Sequence, residues 1–293
     1  MEKAKVYFTK EITNDSLIKI YKELEKELTG KVAIKISTGE PGGHNFLNPN
    51  LIKDLVHMLN GTIVECNTAY NGRRNTTEEH LKVVKEHGFL DIADVDIMDS
   101  EGDMMLPVKN GLHLKENYVG KHLENYNSML VLSHFKGHPM GGFGGALKNM
   151  SIGVASSSGK AWIHTAGKTK NTKVLWLNLP KQDYFLESMA EADSSVVDYM
   201  KENIVYINVI NNLSIDCDCV SHPEDPCMAD IGITASIDPV AVDKASLDLV
   251  YNSSDEGKKR LIQRIEKKHG IRTIEHAEEL GIGTTNYELI NID

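Results

Sequence analysis

No stretch of this chain approaches the roughly 18 consecutive apolar residues of a membrane span, and its first residues, MEKAKVYFTKE, contain no apolar core of signal-peptide length. These absences predict a cytoplasmic protein with no membrane partner. Basic residues are in deficit, 32 Lys and Arg against 42 Asp and Glu, for a formal net charge of −10. A general nucleic-acid surface, which needs concentrated Lys and Arg, is therefore not expected, although a local basic pocket remains open. Cysteine is scarce: Cys66, Cys217, Cys219 and Cys227 are too few and too clustered to staple 293 residues. Free thiols or a metal site are expected ahead of disulfides. Repetitive and Pro/Ser-rich tracts are also missing, which confines disorder to tips and termini.

What the chain does contain is the pattern of an ordinary globular α/β protein, 41% apolar and 25% charged. KVAIKI (31–36) and TIVEC (62–66) read as strands. Between them Leu51, Leu55, Val56 and Leu59 recur at helical spacing. A helix follows through TTEEHLKVVKEHG, capped near Thr76 or Thr77 and ended by Gly88, and then a weak strand near VDIMD. SMLVLSHF (128–135) is the clearest buried strand. Phe185, Met189, Ala192, Val196 and Met200 share one helix face, NIVYINVI returns as a strand, and Asp238-Pro239 opens a further helix as N-cap and first turn. Two more helices and a last strand, YELINI, complete the chain. This alternation predicts a mostly parallel sheet with helices on both faces, arranged as two lobes around a cleft. The lobes are 1–127 and 128–293, with one continuous domain as the alternative.

The strand 128–135 runs directly into SHFKGHPMGGFGGALKNMSIG, where five of the nine residues from Gly137 to Gly145 are glycine. Glycine lets another group approach the main chain without meeting a Cβ, and amides opening a helix favour an anion. Gly142, Gly144 and Gly145, with Lys148 and Asn149 just beyond, are thus candidates to hold an anionic small molecule; a loop packed for its own sake is the alternative. The stretch is neither a P-loop nor a dinucleotide fingerprint. His134, His138 and His164 surround it, and imidazoles serve as bases, ligands or plain hydrogen-bonding core groups. Lys160 follows three serines that suit a turn or anion contacts. Arg73 and Arg74 stand after a strand end, where a guanidinium clamps carboxylate or phosphate if it is not merely solvated. Asp238 is a helix cap first and a site residue second.

Cys217 and Cys219 point to one side of an extended segment, with His222 and Cys227 close behind. Such a set suits a soft or borderline metal such as zinc, iron or nickel, although buried inert thiols are the ordinary state of cysteine.

KVAIKISTGEPGGHNFLNP, NTAYNGRR, SHFKGHPMGGFGGALKNMSIG, SGKAWIHT, CDC and DIGITASIDPVAVDKAS occur here in an order and spacing that resemble the domain-of-unknown-function 362 family, from about residue 30 to the end. Many members of that family carry a ferredoxin-like segment with Cys-x-x-Cys repeats after the position of His164. This chain has no cysteine between His164 and Asn203, so four-iron four-sulfur clusters do not carry over. GFGGALK further resembles an element of the nickel-pincer lactate racemase family, whose lysine holds a pyridinium-derived nickel cofactor. That resemblance implies Lys148 as anchor and His134 or His138 as proton carrier. Two expectations follow. The first is an enzyme that binds a small anion and transfers a proton or a group, with oligomerisation open. The second is an accessory or electron-transfer protein built on a metal at Cys217, Cys219 and Cys227.

Overall fold

The computed structural model describes residues 3–293. In chain order the strands are β1 (Ala4–Thr9), β2 (Val32–Lys35), β3 (Thr62–Glu65), β4 (Val95–Ile97), β5 (Asp103–Pro107), β6 (Glu116–Gly120), β7 (Ser128–His134), β8 (Lys136–His138), β9 (Gly142–Gly144), β10 (Ile204–Ile210), β11 (Gly232–Ser236) and β12 (Tyr287–Asn291). The helices are α1 (Asn14–Glu23), α2 (Pro49–Met58), α3 (Thr77–Glu86), α4 (Ala146–Val154), α5 (Ser157–His164), α6 (Gln182–Met200), α7 (Pro239–Asn252), α8 (Lys258–Lys267) and α9 (Ile271–Glu279).

Eight strands form one sheet in the order β12-β1-β11-β10-β7-β2-β3-β4, in which only β11 runs antiparallel to its neighbours. The remaining strands make two small hairpins, β5-β6 and β8-β9. The expected lobe border between residues 127 and 128 falls inside this sheet, because β7 pairs with β2 on one side and β10 on the other. Among the described residues no helix is long and apolar enough to cross a membrane.

Alternation along the strands builds the two faces. Met129 and Val131 of β7 enter one core with Ala146, Leu147 and Met150 of α4 and Val196 of α6, while Leu130 and Leu132 enter the other with Leu17 and Ile20 of α1 and Ile52 and Leu55 of α2. Each such aliphatic side chain contributes roughly 1.5–3 kcal/mol on full burial. Phe185, Met189, Ala192, Val196 and Met200 of α6 are all buried, as their spacing predicts. Asp238 caps α7 by accepting from the amides of Val240 and Ala241, each at 2.9 Å.

One polar link sets the position of α4. Asp243 on α7 accepts from the amides of Ala146 (2.7 Å) and Leu147 (3.0 Å) and from Asn208 Nδ2 of β10 (2.7 Å). Burial pushes its carboxyl up to about 6 in spite of those three donors. A folded-state value above that of an unfolded carboxyl means that the folded chain binds the extra proton. The contribution of this group to stability is then greatest below about pH 4 and declines as pH rises through about 6. Urea unfolding of the wild type and Asp243→Asn at pH 4.5 and pH 7 should show the difference between them moving by about 2 kcal/mol in favour of the variant at the higher pH. A difference that does not change with pH contradicts this assignment.

Candidate functional site

The parallel strands β2, β3 and β7 end together in Lys35, Glu65 and His134, and these three residues line a cavity of ≈ 330 Å³. Sites of open α/β sheets lie beyond such carboxyl ends. The β8-β9 hairpin, the start of α4, α5 and the 214–220 segment supply the other walls, so His134, His138, Lys148, Asn149, Lys160, His164, Gly144, Gly145 and Arg74 are brought together as the sequence suggested. Gly142, Arg73, Asp238, His222 and Cys227 do not line it.

The glycines serve mostly the protein itself. Gly142 has φ +80°, and a Cβ there would sit 2.9 Å from Gly270 Cα, so α8 and its following turn press on the loop. At Gly145 a Cβ would collide with the Asp243 carboxylate that anchors α4. Gly144 differs: its nearest groups are the side chains of Lys148 and Lys136, at 3.4 and 3.6 Å from a built Cβ, and it faces the cavity.

Five cations line the cavity, Lys35, Arg74, Lys136, Lys148 and Lys160, against one lining carboxylate, Glu65. Four have partners. Lys35 pairs with Glu65 (2.9 Å), Arg74 with Glu40 (2.8 Å) and Glu65 (3.4 Å), and Lys136 with Asp218 (3.0 Å). Lys160 donates to the carbonyls of Ala155 (2.6 Å) and Cys66 (3.4 Å). Lys148 makes neither an ion pair nor a hydrogen bond among the described residues. Burial alone would raise the Glu65 carboxyl, but Lys35 and Arg74 hold it at about 2. Asn149 ties α4 to the sheet, donating to Lys35 O (3.0 Å), Leu132 O (3.2 Å) and Ser133 Oγ (3.0 Å).

Hydrogen bonds separate the three histidines. His134 has Nδ1 on Asp218 Oδ1 (2.8 Å) and Nε2 on Asn211 O (2.7 Å), so no ring nitrogen is left for the cavity. His138 Nδ1 accepts two backbone amides, Met140 (3.1 Å) and Gly141 (2.8 Å), which only a bare ring nitrogen can do. Its proton therefore sits on Nε2, 3.7 Å from Cys219 Sγ, and burial followed by the Lys148 charge lowers the ring to about 4, which keeps it neutral. His164 is the converse: Nδ1 donates to Lys160 O (2.7 Å), Nε2 has no partner among the described residues, and burial holds the ring at about 4.

All four cysteines are free, including the closely spaced Cys217 and Cys219. His138, Cys217 and Cys219 each bring a donor atom to within 4.8 Å of the others. Cys227 is placed elsewhere, its Sγ 3.2 Å from Leu213 O, and His222 is exposed beside Ser221. A metal-bound histidine donates its second N–H to an acceptor, whereas the second nitrogen of His138 accepts. The trio presents two sulfurs and a proton, and it does not fit a three-ligand metal centre. His134 and His138, the proton carriers that the racemase resemblance implied, have no ring nitrogen free to take up a proton. The hydrogen bond from Cys219, with Lys148 and His138, pulls the Cys217 thiol well below its ordinary range, and Cys219 keeps the shared proton.

Lys35, Glu65 and Lys136 escaped the sequence reading, although a charged residue closing an apolar strand, as in KVAIKI and TIVEC, is a usable signal. The family model for the Domain of unknown function (DUF362) matches residues 32–248, well over half of the chain. The chain belongs to the DUF362 family. A comparison of this DUF362 chain with curated proteins gave no match. Among solved structures it is similar to the lactate racemase apoprotein from Thermoanaerobacterium thermosaccharolyticum, at 14% identity and TM-score 0.45, covering 83% of this chain and 56% of that one. It is also similar to a structural-genomics protein from Thermotoga maritima, at 12% identity and TM-score 0.41, covering 91% and 58%. The chain thus spans less than two thirds of either neighbour.

The adjacent arginines should separate cleanly in thermal unfolding. Arg73 is partly exposed and paired with Glu86 and Glu79 at the surface, so Arg73→Ala should leave the midpoint nearly unchanged. Arg74→Ala removes the ion-pair partner of buried Glu40, while Glu65 keeps Lys35, and should lower stability by roughly 3–5 kcal/mol. Equal effects would show that Arg74 is not the buried counter-ion.

Proposed function

We propose that this DUF362 chain is an enzyme that binds a small carboxylate- or phosphate-bearing molecule in the cavity beyond β2, β3 and β7 and transfers a proton or a group on it. The observation that carries this reading is Lys148, half-buried on the first turns of α4 and without a counter-ion, while every other cation of the cavity has a protein partner. A cation withdrawn from water and left unpaired favours an anion, and a hydrogen bond to a charged group contributes about 1.5–3 kcal/mol. The whole chain carries −10, so this attraction belongs to the cavity and not to the surface at large. Gly144 leaves room beside the ammonium, and His164 Nε2 offers a lone pair in the same cavity. The same charge balance disfavours nucleic acid as a partner, and four free thiols suit a reducing compartment such as the cytoplasm. The accessory-protein reading is less favoured, because Cys227 and His222 lie away from Cys217 and Cys219 and His138 offers them no lone pair.

Titration calorimetry with short mono- and dicarboxylates and inorganic phosphate tests the reading. At least one of these should bind the wild type, and Lys148→Met, folded by circular dichroism, should bind it about ten- to a hundred-fold more weakly. Unaltered affinity in that variant would return the glycine stretch to a purely structural role.

A further inference from the structure

We propose that Cys217 and Cys219 form a thiolate–thiol pair that acts as the covalent nucleophile of the cleft, attacking an electrophilic carbon on the anion that Lys148 holds. The inference deepens the reading above and rests on it for the anion alone; the nucleophile stands on its own geometry. The two sulfurs and His138 Nε2 lie within 4.8 Å of one another and line the cavity that Lys148 also lines. The residue between the cysteines faces the other way. Asp218 is buried against His134 and Lys136, so the segment cannot roll and the thiols stay turned to the cavity.

Two N–H donors and one cation surround the sulfurs. The Cys219 amide points at Cys217 Sγ (3.4 Å), His138 aims Nε2–H at Cys219 Sγ (3.7 Å), and Lys148 supplies positive charge without an anion of its own. The ionisable groups around the pair are Lys136 and His138 of the β8 strand, Lys148 of α4, Arg74 and Tyr70 after β3, and Asp218. Cations predominate among them, which favours one negative charge shared by two sulfurs. Cys66 and Cys227 lack this setting, and burial pushes both thiols up.

The arrangement also balances a reaction without an added oxidant or reductant. The Cys217 thiolate gives its electron pair to a carbonyl carbon, forming a C–S bond as the C=O π pair moves onto oxygen. That oxygen takes the proton of the Cys219 thiol, and the negative charge passes to Cys219, where His138 Nε2–H meets it. His138 remains neutral throughout, because its Nδ1 is held by two amides. The reverse sequence breaks the C–S bond and returns the carbonyl compound and the thiolate–thiol pair, so the adduct forms reversibly.

Alkylation of the full chain, with each cysteine followed by peptide mass mapping between pH 5 and 9, tests the pair. In this reaction the thiolate forms a C–S bond, the C–I bond breaks and iodide leaves. Neutral iodoacetamide should place one label on the 217–219 peptide with a midpoint well below the ordinary thiol value of about 8.5, while Cys66 and Cys227 react slowly. Anionic iodoacetate should react there about ten-fold faster than iodoacetamide, the reverse of a free thiol in water, and Lys148→Met should abolish that preference while still taking iodoacetamide. A midpoint in the ordinary thiol range, or stoichiometric zinc that protects both sulfurs in the purified protein, overturns the nucleophile and leaves the anion site standing. A low midpoint without any preference for iodoacetate upholds the nucleophile and removes Lys148 as the anion holder.

Discussion

Asp218 places a carboxylate in the interior, 2.8 Å from His134 Nδ1 and 3.0 Å from Lys136 Nζ, at the point where β7 gives way to the glycine stretch. Burial by itself would raise this carboxyl, yet His134 and Lys136 hold it below its usual range, so the charge is kept and the three side chains form one buried triad. A charge so buried is tolerated only while its partners stay in place. The triad therefore ties the 214–220 segment, which follows β10, to the end of β7 and the start of the β8-β9 hairpin. Everything else about the cavity depends on this tie. It turns Cys217 and Cys219 inward, occupies His134 Nδ1, and engages Lys136, which leaves Lys148 as the lining cation without a partner among the described residues.

The second constraint comes from behind the loop. Asp243 holds the first amides of α4 and Asn208 of β10, and its carboxylate lies where a Cβ on Gly145 would go. Gly142 is pressed by the turn at Gly270. Most of the glycine richness thus answers to protein packed against protein, and of the loop glycines that line the cavity, Gly144 and Gly145, only Gly144 has room for a further atom beside it. With the helix start already satisfied by Asp243, the amides of α4 are not an anion site. The ammonium of Lys148, in the same first turn, is the group proposed for that role.

Much of this was legible in the sequence. Strands such as SMLVLSHF and NIVYINVI are apolar on both faces, and that pattern marks a central parallel strand wherever it occurs. The face of α6 and the Asp238-Pro239 start of α7 were equally plain, because each is a local signal. What escaped was non-local. The pairing of β1 with β12 joins the two ends of the described chain, and the reversed direction of β11 depends on how it is connected, which no periodicity encodes. In the site, the alternation of Cys-Asp-Cys gave the shared side of the two thiols, but nothing local could place Cys227 by Leu213 or bring His138, some eighty positions earlier, against Cys219.

The histidines show why residue type alone stops short of mechanism. His134, His138 and His164 are chemically equivalent in the sequence, and all three line one cavity. A carboxylate and a carbonyl consume both nitrogens of the first. Two amides at one nitrogen force the proton of the second onto the other, which makes it a donor toward sulfur. A single carbonyl at Nδ1 of the third does the opposite and frees Nε2 to accept. Acceptor and donor capacity in this cleft is therefore assigned by backbone groups of Met140, Gly141, Lys160 and Asn211 together with the Asp218 carboxylate. A shift of the Met140–Gly141 backbone would release His138 Nδ1 to carry the proton and leave Nε2 to accept, the opposite of its present role.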